Sequence, residues 1–280
     1  MRIIFFFLVL LTAQHGMCQD SLTQLVDKYA KENNFSGVVM VATDGKPDIL
    51  KAVGLANRET GKAMQTDSKF CIASMTKVFT AVLTMKLVEE GKLALDKPIS
   101  AYFPEYVGEG KDQATLHHLL TYSSGIENTA EPLGMKPYQT LLSLDDFIIK
   151  YCSGPLVYLP GSESRYGNTE FILLQKIIEK VSGRSFEKNL TTHILGPLQL
   201  RNTGMFTGKN PPKDEVTSYI WEDSLKMLTP DEPYLPGMYF GAGGMYSTAE
   251  DLLAFELQPG TPLKVLKAES KSRATMSSAV

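Results

Sequence analysis

A serine and a lysine stand three residues apart at the start of an apolar segment, as Ser74 and Lys77 in the stretch CIASMTKVFTAVLTMKL. Residues three apart share one face of a helix, so the hydroxyl and the amine can contact each other. A lysine held among apolar side chains is costly to keep charged and shifts toward the neutral amine, which can accept a proton. The pair therefore supplies a nucleophile and its base without a histidine, and it predicts acyl transfer through a covalent intermediate on Ser74.

The segment around this pair predicts a buried helix that begins near Ser74. Apolar residues cover most of its circumference up to about Glu90, and Gly91 is a typical helix stop. The N-terminus of a helix stabilises negative charge, and the backbone N–H of Ser74 can act as one oxyanion donor. This position favours attack of the Ser74 hydroxyl on a carbonyl carbon.

The same spacing occurs a second time in this chain, at Ser185 and Lys188. Ser185 opens a short polar helix, and N-capping is a sufficient explanation for a serine there. Ser-x-x-Lys is therefore a weak pattern by itself, and the apolar helix is what distinguishes Ser74.

A second polar element, Arg165-Tyr-Gly-Asn-Thr169, precedes the clearest helix of the chain, which we expect over Thr169–Val181 with Thr169 as its cap. A tyrosine beside a cationic lysine has its phenolate form favoured, so Tyr166 could relay protons. The amide of Asn168 could hold Lys77 or a substrate carbonyl. A packed aromatic ring and an asparagine near a helix cap remain the alternative interpretation of these two residues.

Composition excludes other classes of function. The 280 residues are 43% hydrophobic and 21% charged with a formal net charge of −3, which is ordinary for a globular protein and gives no basic surface for nucleic acid. The adjacent His117 and His118 point about 100° apart on a helix and cannot chelate one metal as a pair. We find no spacing typical of a metal site, a phosphate loop or a Gly-x-Ser-x-Gly elbow, and therefore predict neither metal nor cofactor.

The first residues predict an export signal. Met1-Arg2 is followed by the apolar run 3–13, which is too short to span a bilayer. We assign residues 1–19 to a signal peptide, with cleavage between Ala13 and Asp20, and residues 20–280 to one domain in the periplasm or outside the cell. Cys18 offers a second interpretation as a lipid-attachment cysteine, the one case in which we expect contact with a membrane.

Two further cysteines, Cys71 and Cys152, leave open whether a disulfide joins them after export. Elsewhere the chain predicts few strands. We expect a helix at 22–32, then a hairpin of the strands 37–43 and 49–53 around an Asp-Gly turn. Residues 95–200 read as mainly helical. A glycine-dense loop at 239–245 leads into a capping box at 247–250 and a helix at 251–255. We find no convincing strand after residue 245.

Five motifs in this order resemble the penicillin-recognising serine hydrolases related to class C β-lactamases, a family that includes D-alanyl-D-alanine carboxypeptidases and esterases. The resemblance runs from about Phe35 to Met276. Its motifs are FCIASMTK at 70–77, TLHHLLTYSSG at 115–125, YGN at 166–168, PLQLRNT at 197–203 and GAGGMYSTAED at 241–251.

This resemblance implies an α+β fold, in which a five-stranded antiparallel sheet flanked by helices meets an all-helical lobe at the active site. It implies that Ser74 forms the acyl-enzyme, that Lys77 and Tyr166 transfer protons, and that Asn168 orients the substrate amide. It also implies that His117 braces helices and that the glycine loop lets the backbone pass near the site. The expected partner is a small-molecule or peptide acyl substrate such as a β-lactam, a peptidoglycan stem peptide or a small ester.

One departure from the family opens two alternatives. The family carries a Lys/His-x-Gly motif on a late strand, whereas residues 265–276 resemble the helix before that strand. We therefore expect a C-terminally truncated domain with its late strands missing. The loss of one oxyanion donor typically costs about 10²–10³ in rate. A non-catalytic binding or regulatory homologue and an inactive truncated product are accordingly the alternatives to an exported serine hydrolase.

Overall fold

The computed structural model describes residues 21–207, 212–231 and 234–256 of the chain. These residues belong to two units. Of the described residues, the first unit contains 21–70, 213–231 and 248–253, and the second contains 71–207, 212, 234–247 and 254–256. Ser74, Lys77, Tyr166 and Asn168 all fall in the second unit. The expectations about the signal peptide, Cys18 and residues 265–276 concern residues outside the described ranges.

The first unit begins with helix α1 (21–33), followed by the antiparallel strands β1 (Gly37–Thr43) and β2 (Lys46–Val53). This confirms the predicted helix and hairpin. Asp44 and Gly45 form the connecting turn with φ angles of 50° and 78°, a conformation for which Asp-Gly is a preferred pair. Two shorter antiparallel pairs complete the strands of this unit: β3 (Leu55–Asn57) with β4 (Lys62–Ala63), and β7 (Tyr219–Glu222) with β8 (Met227–Pro230).

The second unit is mainly helical. Its helices are α2 (Thr76–Glu89), α3 (Leu116–Leu120), α4 (Leu144–Tyr151), α5 (Thr169–Ser182), α6 (Phe186–Leu190) and α7 (Phe240–Gly243), with a π-helical turn at Thr191–Leu195. Single 3₁₀ turns lie at Ala73–Met75, Ile99–Ala101, Glu109–Asp112, Glu131–Leu133, Lys136–Tyr138 and Pro236–Tyr239. Strand β6 (Gly204–Met205) pairs antiparallel with β9 (Met245–Ser247). Strand β5 (Phe70–Cys71), which neighbours β9, and the last described helix, α8 (Ala249–Glu256), each contain residues of both units. The predicted α+β class is confirmed.

Helices α2 and α5 form the centre of the second unit and position its polar residues. Phe79, Leu83 and Leu87 of α2 are at most 1% exposed, and so are Leu174 and Ile177 of α5. Burying an aliphatic or aromatic side chain of this size stabilises a fold by about 1.5–3 kcal/mol. The predicted buried helix after Ser74 is therefore confirmed, and it provides a rigid support for the residues at its N-terminus.

Several sequence-based expectations about helix ends and strands are wrong. Thr169 is the first helical residue of α5, and Asn168 takes the N-cap position without capping through its side chain. Thr248 accepts the N–H of Asp251, so the cap of α8 lies one residue later than expected. The glycine-dense loop contains helix α7 and leads into β9, a strand that the sequence did not predict.

Other local expectations hold. The Ser185 side chain accepts the N–H of Lys188 at 3.2 Å, so the second Ser-x-x-Lys is an N-cap. Helix α5 ends at Gly183, which has a left-handed φ of 66° that glycine adopts without steric cost. The sequence left open whether a disulfide joins Cys71 and Cys152, and in the structure they are not joined.

Candidate active site

The Ser74 hydroxyl is exposed at the entry to α2. Ser74 lies in the 3₁₀ turn Ala73–Met75, directly before the first residue of the helix. Ala73 has a φ of 43°, a left-handed conformation that is unfavourable for a residue with a side chain. Such backbone strain is found at functional sites, where the surrounding structure fixes it. The turn presents Ser74 at the N-terminus of a helix whose body is buried.

The Lys77 amine is buried, with only 4% of the residue exposed, and it has four oxygen atoms around it. These are Ser74 Oγ at 3.1 Å, Tyr166 Oη at 3.0 Å, Asn168 Oδ1 at 2.8 Å and the Ala242 carbonyl oxygen at 2.9 Å. The structure therefore brings the four sequence-predicted site residues into mutual contact around one nitrogen. The Ala242 carbonyl is an additional partner that the sequence did not identify by residue.

Two of these four oxygens can only accept hydrogen bonds. The Ala242 carbonyl and the Asn168 amide oxygen have no proton to donate, whereas the two hydroxyl groups can donate or accept. A neutral lysine amine has two N–H groups and one lone pair. In the neutral form, N–H groups donated to Ala242 and Asn168 would leave the lone pair of Lys77 for the Ser74 hydroxyl, since the Tyr166 hydroxyl donates to Ser74. This arrangement suits a base that takes a proton from serine.

Tyr166 closes a triangle with the other two groups. Its hydroxyl donates to Ser74 Oγ at 2.6 Å, and its ring lies over Lys77 Nζ at 4.8 Å from the centroid. The Tyr122 ring packs against the Tyr166 ring at 5.1 Å and holds it in place. Since Tyr166 is 58% exposed, its phenol forms the solvent side of the site. A proton leaving Ser74 therefore has two routes, directly to Lys77 or through the phenol oxygen.

Burial lowers the pKa of Lys77 below the ordinary value for a lysine. The hydrogen bond to Tyr166 and the charge of Glu170 act in the opposite direction, because both favour the ammonium form. The net direction is downward, so the neutral amine that the chemistry requires is reached at a lower pH than in an exposed lysine.

Glycine at position 241 allows the backbone of α7 to approach the site. A Cβ atom there would lie 2.9 Å from the Phe171 carbonyl oxygen, a distance that real Cβ atoms do not show. The Gly241 carbonyl accepts the Thr80 hydroxyl at 2.7 Å, and the next carbonyl, that of Ala242, accepts Lys77. The prediction that the glycine segment passes near the site is confirmed, and its role is to supply carbonyl oxygens to α2.

Glu170 is a buried acid near the site that the sequence did not indicate. It is 3% exposed, and its Oε1 accepts the Ser124 hydroxyl at 2.9 Å. Its Oε2 has no hydrogen-bond partner among the described residues. Burial raises the pKa of Glu170 above its ordinary value, and the nearby Lys77 only partly offsets this. Only the burial of Glu170 makes it unusual, because an acid in the first turn of a helix is common.

The raised pKa of Glu170 predicts how stability depends on pH. An acid whose pKa is higher in the folded than in the unfolded chain takes up a proton on folding. Its contribution to the free energy of unfolding is therefore fully present below the pKa of the unfolded chain and decreases as the pH rises through the pKa of the folded chain. Glu170→Gln removes this titration. We expect the Tm of Glu170→Gln minus the Tm of the wild type, measured by calorimetry, to be several degrees more positive at pH 8 than at pH 4.5. Parallel Tm curves for the two proteins would contradict this assignment.

The two histidines of α3 have no part in the triangle. His118 forms a capping box, since Thr115 Oγ1 accepts its N–H and its Nδ1 accepts the N–H of Thr115. The bracing role expected of His117 is therefore wrong, because His117 is exposed and the structural contact belongs to His118. Among the described residues, no group of three His, Cys, Asp or Glu side chains is placed to hold a metal ion. Within those ranges no helix is long and apolar enough to cross a membrane.

Known proteins resemble this chain over most of its length. Residues 22–279 match the family model described as Beta-lactamase. Esterase EstB from Burkholderia gladioli is 28% identical over 85% of this chain and 70% of its own length. The teichoic acid D-alanine hydrolase of Staphylococcus aureus is 28% identical over 84% of this chain and 56% of its own. The octameric penicillin-binding protein homologue from Pyrococcus abyssi superimposes with a TM-score of 0.70 at 31% identity, covering 86% of this chain and 57% of that one.

The fold and these matches define a protein of the β-lactamase fold, and the Ser74–Lys77–Tyr166 contacts lie within it. The chain belongs to the β-lactamase family of enzymes. It spans 70% of the length of the esterase and little more than half the length of the other two proteins.

Proposed function

We propose that the protein hydrolyses an ester or amide through an acyl-enzyme on Ser74. The observation that carries this proposal is the closed triangle of the Ser74 hydroxyl, the Lys77 amine and the Tyr166 phenol, with sides of 2.6, 3.0 and 3.1 Å. These distances are within the range needed for proton transfer between a nucleophile and its base. An exposed serine does not need a buried lysine amine as its hydrogen-bond partner, because water can take that place.

In the first step, Ser74 Oγ attacks the acyl carbonyl carbon while its proton passes to the lone pair of Lys77, directly or through Tyr166. The carbonyl π electrons move to the oxygen, where the N-terminus of α2 favours the negative charge. Collapse of this intermediate breaks the bond to the leaving group, which takes a proton from the Lys77–Tyr166 pair. Water then attacks the ester on Ser74, gives its proton to the same pair, and releases the acid and the serine hydroxyl.

The substrate class is an acyl compound of small or peptide-like size. One relative is named as an esterase and another as a teichoic acid D-alanine hydrolase. Both names fit a site that is open at Ser74 and Tyr166. We therefore place esters, including D-alanyl esters, ahead of β-lactams and peptidoglycan peptides as the substrate of this chain.

A panel of three substrates tests the proposal. The full chain is assayed with p-nitrophenyl butyrate, D-alanine methyl ester and the β-lactam nitrocefin, with product release followed over protein concentration. We expect turnover of at least one ester, proportional to enzyme. Binding of a cell-wall fragment without turnover of any of the three compounds would support the non-catalytic alternative instead.

We also propose that the protein acts outside the cytoplasm. The support is the apolar run at residues 3–13 behind Met1-Arg2, which is typical of an export signal. N-terminal sequencing of the protein from its native cells tests this. A mature N-terminus between residues 14 and 20 is expected, a lipid-modified Cys18 would show surface anchoring, and an N-terminus at Met1 would contradict export.

A further inference from the structure

Tyr138 contacts Asn168 at the end of the amide that does not face Lys77. The Asn168 amide donates from Nδ2 to Tyr138 Oη at 3.3 Å, while its Oδ1 accepts from Lys77. Asn168 sits at the N-cap of α5, a position where an asparagine side chain normally accepts a backbone N–H. Here it makes no such bond, because both ends of the amide are used by Lys77 and Tyr138.

Tyr138 is held rigidly in the interior of the second unit. It is 3% exposed, and its ring stacks on the ring of Tyr239 at 3.7 Å with an angle of 8° between the planes. The Phe147 ring also packs against the Tyr138 ring, with 5.7 Å between the ring centroids. Burial raises the pKa of Tyr138 to about 12, so its phenol stays neutral at physiological pH. The hydroxyl oxygen is therefore a fixed, uncharged partner for the amide.

The orientation of this amide matters because Lys77 changes its protonation state during the reaction. The ammonium form can only donate, so it requires Oδ1 of Asn168 to face it. The neutral amine has a lone pair, and a flipped amide could donate to that lone pair from Nδ2. In that flipped state the lone pair would no longer be available to the proton of Ser74.

We propose that Tyr138 is a positioning residue whose hydroxyl keeps the Asn168 amide turned with Oδ1, and not Nδ2, toward Lys77. This inference rests on the proposed function. With the hydroxyl present, both ends of the amide have partners in the observed orientation. Without it, Nδ2 loses its acceptor in a partly buried place, and a flip toward the neutral amine becomes favourable, since a donor that is left without an acceptor and shielded from water is costly.

The test compares Tyr138→Phe with Tyr239→Phe, which removes a hydroxyl from the same stacked pair but leaves Asn168 untouched. The readouts are the rate of covalent reaction with a fluorophosphonate across pH 5–10 and the Tm. For Y138F we expect the plateau rate at high pH to be about tenfold lower, which corresponds to the free energy of one lost hydrogen bond. We also expect the acid limb of the profile to move to lower pH. For Y239F we expect the wild-type profile.

A second pair of variants separates orientation from packing. In Asn168→Asp both terminal atoms are acceptors, so an amide flip no longer exists. We expect Y138F to lower the fluorophosphonate rate about tenfold in the wild type but by less than about twofold in the N168D background, because coupled residues are non-additive. An equal loss in both backgrounds, or a Y138F profile that matches Y239F, would overturn the proposal. Wild-type protein that fails to react at all would instead contradict the proposed function.

Discussion

Ser74→Ala is expected to reduce ester turnover by about 10⁴-fold or more, since loss of a nucleophile that acts as a unit with its base removes nearly all covalent catalysis. Ser74 is exposed and lies outside the buried part of α2, so the fold should be retained. The measurement is kcat/KM for p-nitrophenyl butyrate together with Tm. The expected pattern is a lost rate at an unchanged Tm.

The chain supplies a matched control for this variant in its other Ser-x-x-Lys. Ser185→Ala removes an N-cap, so it should cost about 1 kcal/mol of stability while leaving turnover unchanged. We thus expect Ser74→Ala to lose activity but keep its stability, and Ser185→Ala to lose stability but keep its activity. Equal turnover in S74A and the wild type would place the nucleophile elsewhere.

Lys77→Arg is expected to lower kcat/KM on the order of 10³-fold, the scale of a lost general base. Arginine keeps the positive charge but cannot be deprotonated in a protein, so it can donate to Asn168 and Ala242 but cannot accept the proton of Ser74. Lys188→Arg is the matched control, because Lys188 is exposed and its amine has no place in the site. We expect wild-type turnover for K188R.

The pH profile distinguishes loss of the base from loss of structure. Because burial lowers the pKa of Lys77, the active neutral amine forms as pH rises through that lowered value, so wild-type kcat/KM should rise with pH and level off below the ordinary range of lysine. In K77R this acid limb should be absent, and the remaining rate should be proportional to hydroxide concentration or independent of pH. A K77R protein that keeps the wild-type limb would mean that another group titrates.

The contact between Ser74 and Lys77 could be predicted from the sequence because it depends only on helical spacing. The contacts that complete the site could not, since Tyr166 lies 89 residues from Lys77 and Ala242 lies 165 residues away. No local pattern fixes such distances. The chemistry of Tyr166 and Asn168 suggested a role beside Lys77, and the motifs shared with a known family supported it, whereas the carbonyl of Ala242 became known as a partner only from the structure.

The wrong prediction about Thr169 has an instructive physical cause. Helix-cap rules assume that a polar side chain at the start of a helix accepts a backbone N–H of that helix. By that rule Asn168, which takes the N-cap position, would be a better cap than Thr169. Its amide instead serves Lys77 and Tyr138. A local rule that is broken without a local replacement is expected at functional sites. Glu170 escaped notice for a related reason, because only its burial, and not its type or position, makes it unusual.

The proposed function requires a covalent acyl bond to the Ser74 oxygen, and mass spectrometry detects such a bond. The full chain is mixed with p-nitrophenyl butyrate or with a β-lactam, quenched in acid, weighed intact and digested for peptide mapping. We predict a mass increase equal to the acyl group, carried by the peptide that contains Ser74 and absent from S74A. An adduct on another residue that persists in S74A, together with retained turnover in S74A, would show that Ser74 is not the nucleophile.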